Sequence, residues 1–238
     1  GAGLYLSSRE SNPEHLELRQ AFLLTNSAWI SISLFGSLPF LFSNLNLNFI
    51  DAFFESTSGI TTTGSTIIPN LEQVSYGILL WRALLQWLGG IGIIVMAVAI
   101  LPMLSIGGMQ LFKTESYETP DKIIPRAAIF ASGISIVYIV LTSTWAFMLW
   151  FAGMPIFDSI THAMTTLATG GYSTKSESLG AFNSVNIEMI IVFGMIVGSL
   201  PFIHYLSILK KGWKNLINDQ QVKWFLLILF FLISIVTF

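Results

Sequence analysis

The sequence predicts an all-α membrane protein, built from repeated units of a long helix, a short helix, a loop and a second long helix. First, 53% of the 238 residues are hydrophobic and only 10% are charged, whereas soluble domains carry about 25% charged residues. Second, apolar runs long enough to cross a bilayer, about 18 residues or more, recur along the chain. Third, the same order of segments and one distinctive loop occur twice.

The first unit begins after a polar stretch. Residues 1–20 are predicted as a cytoplasmic N-terminal segment that ends at Arg19, a suitable interfacial cation before a span. The first span is predicted over 21–42. A short helix follows over 52–60, with Asp51 as its N-cap, because a carboxylate can accept the free backbone N–H groups at a helix start. This helix is too short to span a bilayer, so we expect it to be re-entrant or interfacial.

The loop over 61–66, with the sequence TTTGST, follows the short helix. Non-helical backbone at membrane depth is tolerated only where protein buries it or where it lines water. The loop is therefore predicted to line a pore or to be covered by protein. A long span over 77–105 completes the first pore-forming repeat, which covers residues 21–105.

The second half of the chain repeats this order. A cytoplasmic linker is predicted over 106–125, and a second pore-forming repeat over 126–209. Its segments are a span, a short helix and a span: 126–152, 158–167 and 187–209. Residues 210–238 are predicted as a linker and the start of a third unit.

The second loop lies 107 positions after the first, since Asp158 matches Asp51 and Gly171 matches Gly64. Glycine permits a positive φ and close backbone approach, and carbonyl oxygens that replace a hydration shell form the filter of potassium channels. We therefore predict repeated helix–pore helix–filter loop–helix units, as in potassium channels. The predicted potassium ligands are eight backbone carbonyls, those of Thr62, Thr63, Gly64, Ser65, Thr169, Gly170, Gly171 and Tyr172.

The alternative to a filter is an ordinary Gly/Thr turn outside the membrane. The filter is favoured because both loops follow matched short helices, each with the partial negative charge of its C-terminal end directed at the loop. Each loop holds fewer glycines than the TVGYG filter of potassium channels. This predicts fewer carbonyl layers and looser selectivity for potassium over sodium.

The distribution of positive charge predicts the orientation. If both loops face outward, the outer side holds only Arg82 and Lys175, and the inner side holds the other nine Lys and Arg residues. Positive charge is enriched on the cytoplasmic side of membrane proteins. The loops are therefore predicted to be extracytoplasmic and the chain ends cytoplasmic.

Two pairs of polar residues occupy equivalent positions near the loops. Asp51 and Asp158 could attract cations at the outer mouth, but plain N-capping of the short helices is favoured because both lie at the helix starts. Glu55 and His162 lie on the short helices themselves. An ionisable residue at membrane depth suggests a functional role, and the predicted role is a hydrogen bond that braces the loop.

Further polar and small residues lie on the long spans. Arg82 and Glu188 fall at nearly equivalent outer ends, where they could pair across the repeats or each extend to the interface; the sequence leaves both possibilities open. Small residues permit close helix packing in membranes, which we predict for Gly89, Gly90, Gly92, Gly194 and Gly198.

Several functional classes are disfavoured by composition. A net charge of −2 gives no case for nucleic-acid binding, and the absence of cysteine excludes disulfides and thiolate metal sites. His15, His162 and His204 form no spaced ligand motif with a carboxylate, and no G-x-S-x-G sequence is present. An intramembrane enzyme is therefore not predicted. No cofactor is predicted either, and potassium is the transported substrate.

Four ordered motifs resemble a known family: TTTGST at 61–66, WRALLQWLGGIG at 81–92, IGGMQLF at 106–112 and ATGGYST at 168–174. On these motifs the chain resembles the TrkH-type potassium-uptake subunits of the Trk/Ktr/HKT superfamily of cation transporters. The resemblance implies four helix–pore helix–helix repeats around a central pore, with one filter glycine per repeat. Here those glycines are Gly64 and Gly171.

The resemblance also implies a function and partners. It implies potassium uptake across the cytoplasmic (inner) membrane by a multi-pass protein, either passive or as symport with another ion. It further implies a homodimer and a cytoplasmic nucleotide-binding regulatory subunit of the Trk type, for which residues 107–125 and 210–221 are the available docking surface. The chain holds two repeats and the start of a third, so we expect a fragment. The alternative function is a nonconducting truncated or split-gene product of that family.

Overall fold

A computed structural model of the chain describes residues 18–104, 123–212, 216 and 218–237. Regular structure within these residues is helical, with no strand, so the predicted all-α class is confirmed. Short 3-10 helices, Leu71–Gln73 and Ser178–Phe182, follow the two loops. The α-helices are, in order, α1 (Leu18–Leu41), α2 (Phe49–Ile60), α3 (Tyr76–Leu104), α4 (Ile123–Phe151), α5 (Ile156–Leu167), α6 (Val185–Ser199), α7 (Phe202–Lys211) and α8 (Gln220–Thr237).

The short helix α2 is capped by an asparagine. The side chain of Asn48 accepts a hydrogen bond from the backbone N–H of Asp51 at 2.9 Å. The prediction that Asp51 is the N-cap is therefore wrong, because the Asn-rich turn supplies a cap three residues earlier. Asp51 instead lies in the first helical turn, where a carboxylate still interacts favourably with the helix dipole.

The equivalent residue of the second repeat is not a cap either. Helix α5 begins after Pro155, and Asp158 is a buried residue of its first turn. Its Oδ1 accepts a hydrogen bond of 2.6 Å from the Thr174 hydroxyl. Asp158 therefore holds the chain that follows the second loop, and it is neither an N-cap nor a surface carboxylate.

The predicted span over 187–209 is two helices. Helix α6 ends at Ser199, Leu200 takes an extended conformation with ψ of 145°, and α7 begins at Phe202. The ring of Pro201 disfavours a helical conformation at Leu200, and the proline has no N–H with which to continue the helical hydrogen bonds. The break allows α7 to pack against α4.

Helix α3 joins the two repeats. It packs against α2 of its own repeat and against α4 and α5 of the next. A Cβ on Gly89 would collide with the carbonyl of Ile60, and one on Gly90 would lie 3.1 Å from the Cα of Ala168. Close packing is confirmed for Gly89, Gly90, Gly194 and Gly198, and not for Gly92, which faces open space.

Two helices among the described residues are long and apolar enough to cross a membrane by length and composition, over Tyr76–Ile94 and Ala131–Phe151. Large apolar side chains, including Phe35, Ile136 and Phe151, are exposed on the outer helices. Exposed apolar surface of this kind suits a lipid environment. Most of the predicted segments 1–20 and 106–125 lies outside the described residues.

Candidate cation filter

The two loops have the same backbone conformation at equivalent positions. Thr62 and Thr169 both have a φ of 55°, and Gly64 and Gly171 have φ values of 82° and 79°. A positive φ is uncommon for a residue with a Cβ, and more so for a β-branched one. Two threonines that share it 107 residues apart show that the repeat extends to the backbone of the loops.

The hydrogen bonds of the loops repeat as well. The N–H groups of Thr63 and Gly64 donate to the carbonyl of Ser58, at 2.9 and 3.4 Å. In the second loop the two equivalent N–H groups donate to the carbonyl of Thr165, at 3.0 and 3.4 Å. Because the N–H groups point back at the short helices, the adjoining loop carbonyls are available to another ligand.

The loops meet at their glycines. A Cβ on Gly64 would collide with the carbonyl oxygen of Gly170, and the φ of Gly64 also lies in the region that favours glycine. Gly171 has open space around it, so only its φ of 79° disfavours a side chain there. Gly64 therefore has two physical requirements for glycine and Gly171 has one.

Two of the eight predicted carbonyl residues carry other contacts. The carbonyl of Ser65 accepts a hydrogen bond from the Ser58 hydroxyl at 2.6 Å and lies 3.2 Å from the Tyr172 hydroxyl, which donates to the carbonyl of Glu55 at 2.9 Å. One lone pair of the Ser65 carbonyl is thus engaged within the protein. The side chain of Tyr172 is buried between the loops.

Glu55 braces the first loop, as predicted. Its carboxylate accepts hydrogen bonds from the Thr66 hydroxyl at 2.9 Å and from the N–H of Ile67 at 3.1 Å. The Nε of Arg82 donates to the same carboxylate at 2.8 Å, and both side chains of this ion pair are buried. A buried charge is tolerated when it is paired and hydrogen-bonded in this way.

Both interpretations of Arg82 that the sequence left open are wrong. Arg82 neither pairs with Glu188, which is exposed on α6, nor reaches solvent, since only 1% of it is accessible. Its guanidinium also donates from Nη1 to the carbonyl of Ser173 at 2.9 Å and lies 4.0 Å from the centre of the Tyr172 ring. The guanidinium is buried because α3 directs it at both loops.

His162 braces the second loop with a different set of groups. Because a carbonyl can only accept, Nδ1–H of His162 donates to the carbonyl of Asp158, at 2.8 Å, and Nε2 lies 3.0 Å from the Ser173 hydroxyl. The equivalence of His162 and Glu55 is thus confirmed. The first loop is held by an ion pair, and the second by the ring of His162 together with the bond from Thr174 to Asp158.

Gln86 is a site residue that the sequence analysis missed. It lies on α3, is completely buried, and accepts a hydrogen bond from the backbone N–H of Tyr172 at 3.0 Å. Its amide also packs closely on Gly170. A Cβ at that position would lie 2.4 Å from Cδ, 2.5 Å from Oε1 and 2.7 Å from Nε2 of Gln86. A single amide in an otherwise apolar helical stretch was the available signal.

A second contact joins the repeats beyond the loops. Glu72 accepts hydrogen bonds from the hydroxyl of Ser176 at 2.7 Å and from its N–H at 2.8 Å. Together with the positive charge of Lys175, these bonds lower the pKa of Glu72 to about 2. The carboxylate therefore remains charged in acidic solution and keeps its hydrogen bonds.

The candidate ligands for a cation are backbone oxygens. Within the described residues there is no group of three or more His, Asp or Glu side chains placed to hold a metal ion. The carbonyls of Thr62, Thr63 and Gly64, and those of the equivalent residues of the second loop, receive no hydrogen bond from the described part of the chain. Such oxygens suit a hard monovalent cation.

The whole chain, residues 1–238, matches the family of TrkH cation transport proteins. The chain belongs to the TrkH family. It is 43% identical over 228 residues to the Trk system potassium uptake protein TrkI of Halomonas elongata, covering 94% of this chain and 46% of the relative. It is 41% identical over 241 residues to the Trk system potassium uptake protein TrkH of Escherichia coli K12, covering 100% of this chain and 50% of the relative.

A solved structure has the same fold as this TrkH-family chain. The crystal structure of the potassium transporter TrkH from Vibrio parahaemolyticus superposes with a TM-score of 0.82 at 36% identity, covering 97% of this chain and 48% of that chain. The chain thus spans about half the length of the TrkH-family proteins that it matches. The family is one of membrane transport proteins and is not a class of enzymes.

Proposed function

We propose that this chain contributes two walls of a potassium-selective pore for potassium uptake, in which ions pass a filter of backbone carbonyls. The carbonyls of Thr62, Thr63 and Gly64 form one wall. Those of Thr169, Gly170, Gly171 and Tyr172 form the other. Ser65 is left out because its carbonyl already accepts a short hydrogen bond from the Ser58 hydroxyl, at 2.6 Å. The observation that carries the proposal is the repeated backbone conformation of the two loops, with N–H groups turned inward.

The chemistry of the loops supports a cation rather than an anion. Carbonyl oxygens replace the water molecules that surround a dehydrated cation. Helices α2 and α5 both end at the loops, so the partial negative charge of each C-terminus lies beside the same space. The potassium in the names of the relatives agrees with this chemistry, and we extend it to the present chain.

We further propose the setting in which such a pore works. The pore lies in the cytoplasmic membrane with both loops on the outer side, which agrees with the distribution of Lys and Arg. A homodimer and a cytoplasmic nucleotide-binding regulatory subunit complete the system, with passive or symport movement of the ion. No enzymatic activity is proposed.

The second candidate function, a nonconducting product, is favoured by one observation. The loop residues Thr61, Thr63, Ser65, Thr169 and Gly171 are exposed in this chain. A pore of this kind needs four walls, and the chain supplies two. Without further repeats or a second copy, one side of each loop would face lipid or water.

Replacement of the filter glycines tests the main proposal. In the full-length protein, Gly64→Ser and Gly171→Ser should each reduce potassium uptake by about tenfold or more, since a strained backbone conformation costs roughly 1–3 kcal/mol. Uptake is measured in cells that lack their own potassium transport, with membrane content determined on immunoblots. Gly77→Ser is the matched control, because Gly77 lies in α3 with open space around it. Normal uptake in both loop variants would contradict the proposal.

A further inference from the structure

Four buried side chains link the two loops, and we call them the inter-loop cluster: Glu55, Arg82, Gln86 and Tyr172. At most 4% of the surface of any of them is accessible. Glu55, Arg82 and Gln86 belong to the first repeat, and Tyr172 belongs to the loop of the second. Burying two charges and an amide is unfavourable unless their bonds are satisfied, so a purely packing role for this cluster would be better filled by apolar side chains.

The ion pair of the cluster connects equivalent points of the two loops. Glu55 binds the first loop at Thr66, and Arg82 binds the second loop at the carbonyl of Ser173. Thr66 and Ser173 are separated by the repeat interval of 107 residues. The 2.8 Å bond between Glu55 and Arg82 therefore fixes both loops relative to each other at the same level, directly after the predicted carbonyls.

Tyr172 crosses from the second loop to the first. Its hydroxyl donates to the carbonyl of Glu55 at 2.9 Å and lies 3.2 Å from that of Ser65. Its ring lies under the guanidinium of Arg82, in the geometry of a cation–π contact. One rigid side chain thus sets how far the two loops stand apart.

Gln86 acts at the level of the glycines. Its Oε1 holds the N–H of Tyr172, and its amide packs on Gly170, whose carbonyl in turn lies against Gly64. Its Nε2 is buried and has no hydrogen-bond partner among the described residues. This unpaired donor lies beside Gly64 and Gly170, so a change in the distance between the two loops would change its surroundings.

The cluster is not a general feature of the repeats. The residues one repeat interval after Arg82 and Gln86 are Met189 and Phe193, which are apolar and 50% and 58% exposed. The residue one interval before Tyr172 is Ser65. A polar cluster required only to build a repeat would be expected in both units, so this one is specific to the junction between the first and second loops.

We propose that the inter-loop cluster is a specificity-determining device, which discriminates potassium from sodium by holding the two loops at a fixed separation. This inference rests on the proposed filter. Potassium and sodium differ in size, and selectivity by carbonyls depends on cavity size or on the number and field of the dipoles. Both quantities change when the separation of opposing or adjacent loops is free to vary. Arg82, Gln86 and Tyr172 are positioning residues, since none of them is proposed to touch the ion.

Tyr172→Phe tests the proposal in the purified full-length protein reconstituted in liposomes, by the ratio of potassium flux to sodium flux. The variant keeps the ring under Arg82 and removes the hydroxyl bonds to the first loop. We expect the ratio to fall by about two- to tenfold, the change that one buried hydrogen bond produces. Tyr138→Phe is the matched control, because Tyr138 is also buried and its hydroxyl donates to the carbonyl of Trp87 within α3, and so joins neither loop to the other. Its ratio should equal that of the unmodified protein.

Gln86→Glu provides an independent second variant, which has nearly the same shape and keeps an acceptor for the N–H of Tyr172 while replacing the Nε2 donor. It too should lower the flux ratio, and it decides the question if Tyr172→Phe does not reach the membrane. An unchanged ratio in the variant that folds, whether total flux is normal or reduced, would overturn the proposal and leave the cluster a purely structural one. Absence of potassium flux from the unmodified full-length protein would instead remove the proposed function on which this inference depends.

Discussion

The two loops share the backbone conformation of individual residues, but different side chains hold them in place. The positive φ values recur at Thr62 and Thr169 and at the two loop glycines. The bracing side chains do not recur, since Glu55 with Arg82 is charged and His162 is bound to a carbonyl and a hydroxyl. The same loop conformation can therefore be stabilised by an ion pair in one repeat and by a set of hydrogen bonds in the next.

Glu72 offers a test of the contact between the repeats outside the loops. Its pKa in the folded protein, about 2, is below the ordinary value of 4.5, because Ser176 donates two hydrogen bonds to the carboxylate. The stabilisation it provides is therefore fully present above pH 4.5 and is lost as the pH falls through about 2. We expect the carboxyl carbon of Glu72 to titrate near pH 2 in NMR spectra of isotopically labelled protein. Ser176→Ala removes the hydroxyl bond and keeps the backbone one, so it should raise the titration midpoint part of the way towards 4.5. An unchanged midpoint would show that the Ser176 hydroxyl does not lower this pKa.

Comparison of the two repeats located the loop residues and the side chains that brace them, but it did not locate the helix caps, since Asp51 and Asp158 are matched in the same way and cap neither short helix. Gly64, Gly171, Glu55 and His162 were all located by the interval of 107 positions. Gln86 has an apolar residue at the equivalent position, so the repeat gave no signal for it, and the near match of Arg82 with Glu188 suggested a partner that the structure does not show. The partners of Arg82 and Gln86 lie 27 to 91 residues away along the chain, and only the packing of α3 on the loops brings them together.

At the scale of elements, periodicity and length located the helices, and local chemistry set their ends. The predicted spans over 21–42, 77–105 and 126–152 and both short helices each correspond to one observed helix. The errors lie at the caps and at Pro201. Asn48 begins α2 in place of Asp51, and the span over 187–209 is divided because a continuous apolar run does not reveal the conformation that proline imposes on Leu200.

The orientation of the elements is testable by labelling. Two cations, Arg82 and Lys175, were assigned to the outer side. Because Arg82 is buried, only Lys175 lies at the outer surface, and the predicted difference in positive charge between the two sides becomes larger. In the full-length protein, a cysteine at Glu177 should react with an impermeant thiol reagent added from outside, and a cysteine at Glu118 should react only after permeabilisation. The 238 residues contain no cysteine, and any cysteine elsewhere in the full-length protein is first replaced by serine. The reverse pattern would invert the orientation and place the loops on the cytoplasmic side.

At the scale of the whole molecule, the chain presents two repeats joined by one specialised junction. Helix α3 contributes to the support of both loops, whereas the equivalent face of α6 carries exposed apolar residues such as Met189 and Phe193. The face of α6 that would support a further loop is thus chemically unlike the face of α3 that supports the second loop. If a second copy of the chain packed on α6, its loop would meet apolar side chains, whereas the second loop of this chain meets Arg82 and Gln86 on α3.

The 238-residue chain alone should therefore insert into membranes without forming a selective pore. Two walls leave loop carbonyls open to lipid, which is unfavourable by several kcal/mol for each unsatisfied group. The measurement is potassium and sodium flux in liposomes that contain the purified chain, with the unmodified full-length protein as the control. Potassium-selective flux from the chain alone would instead support a self-completing dimer.

The bond from the hydroxyl of Tyr172 to the carbonyl of Glu55 also sets an order of events during synthesis. It joins residues 117 positions apart, and ribosomes add about 5–20 residues per second. Tyr172 is therefore added about 6–23 seconds after Glu55, and the first loop lacks this bond until then. During that interval the carboxylate of Glu55 can pair with Arg82, which follows it by only 27 residues in the sequence. The ion pair is thus able to hold the first loop in a provisional form, and the nascent chain completes that loop only when the second has been made.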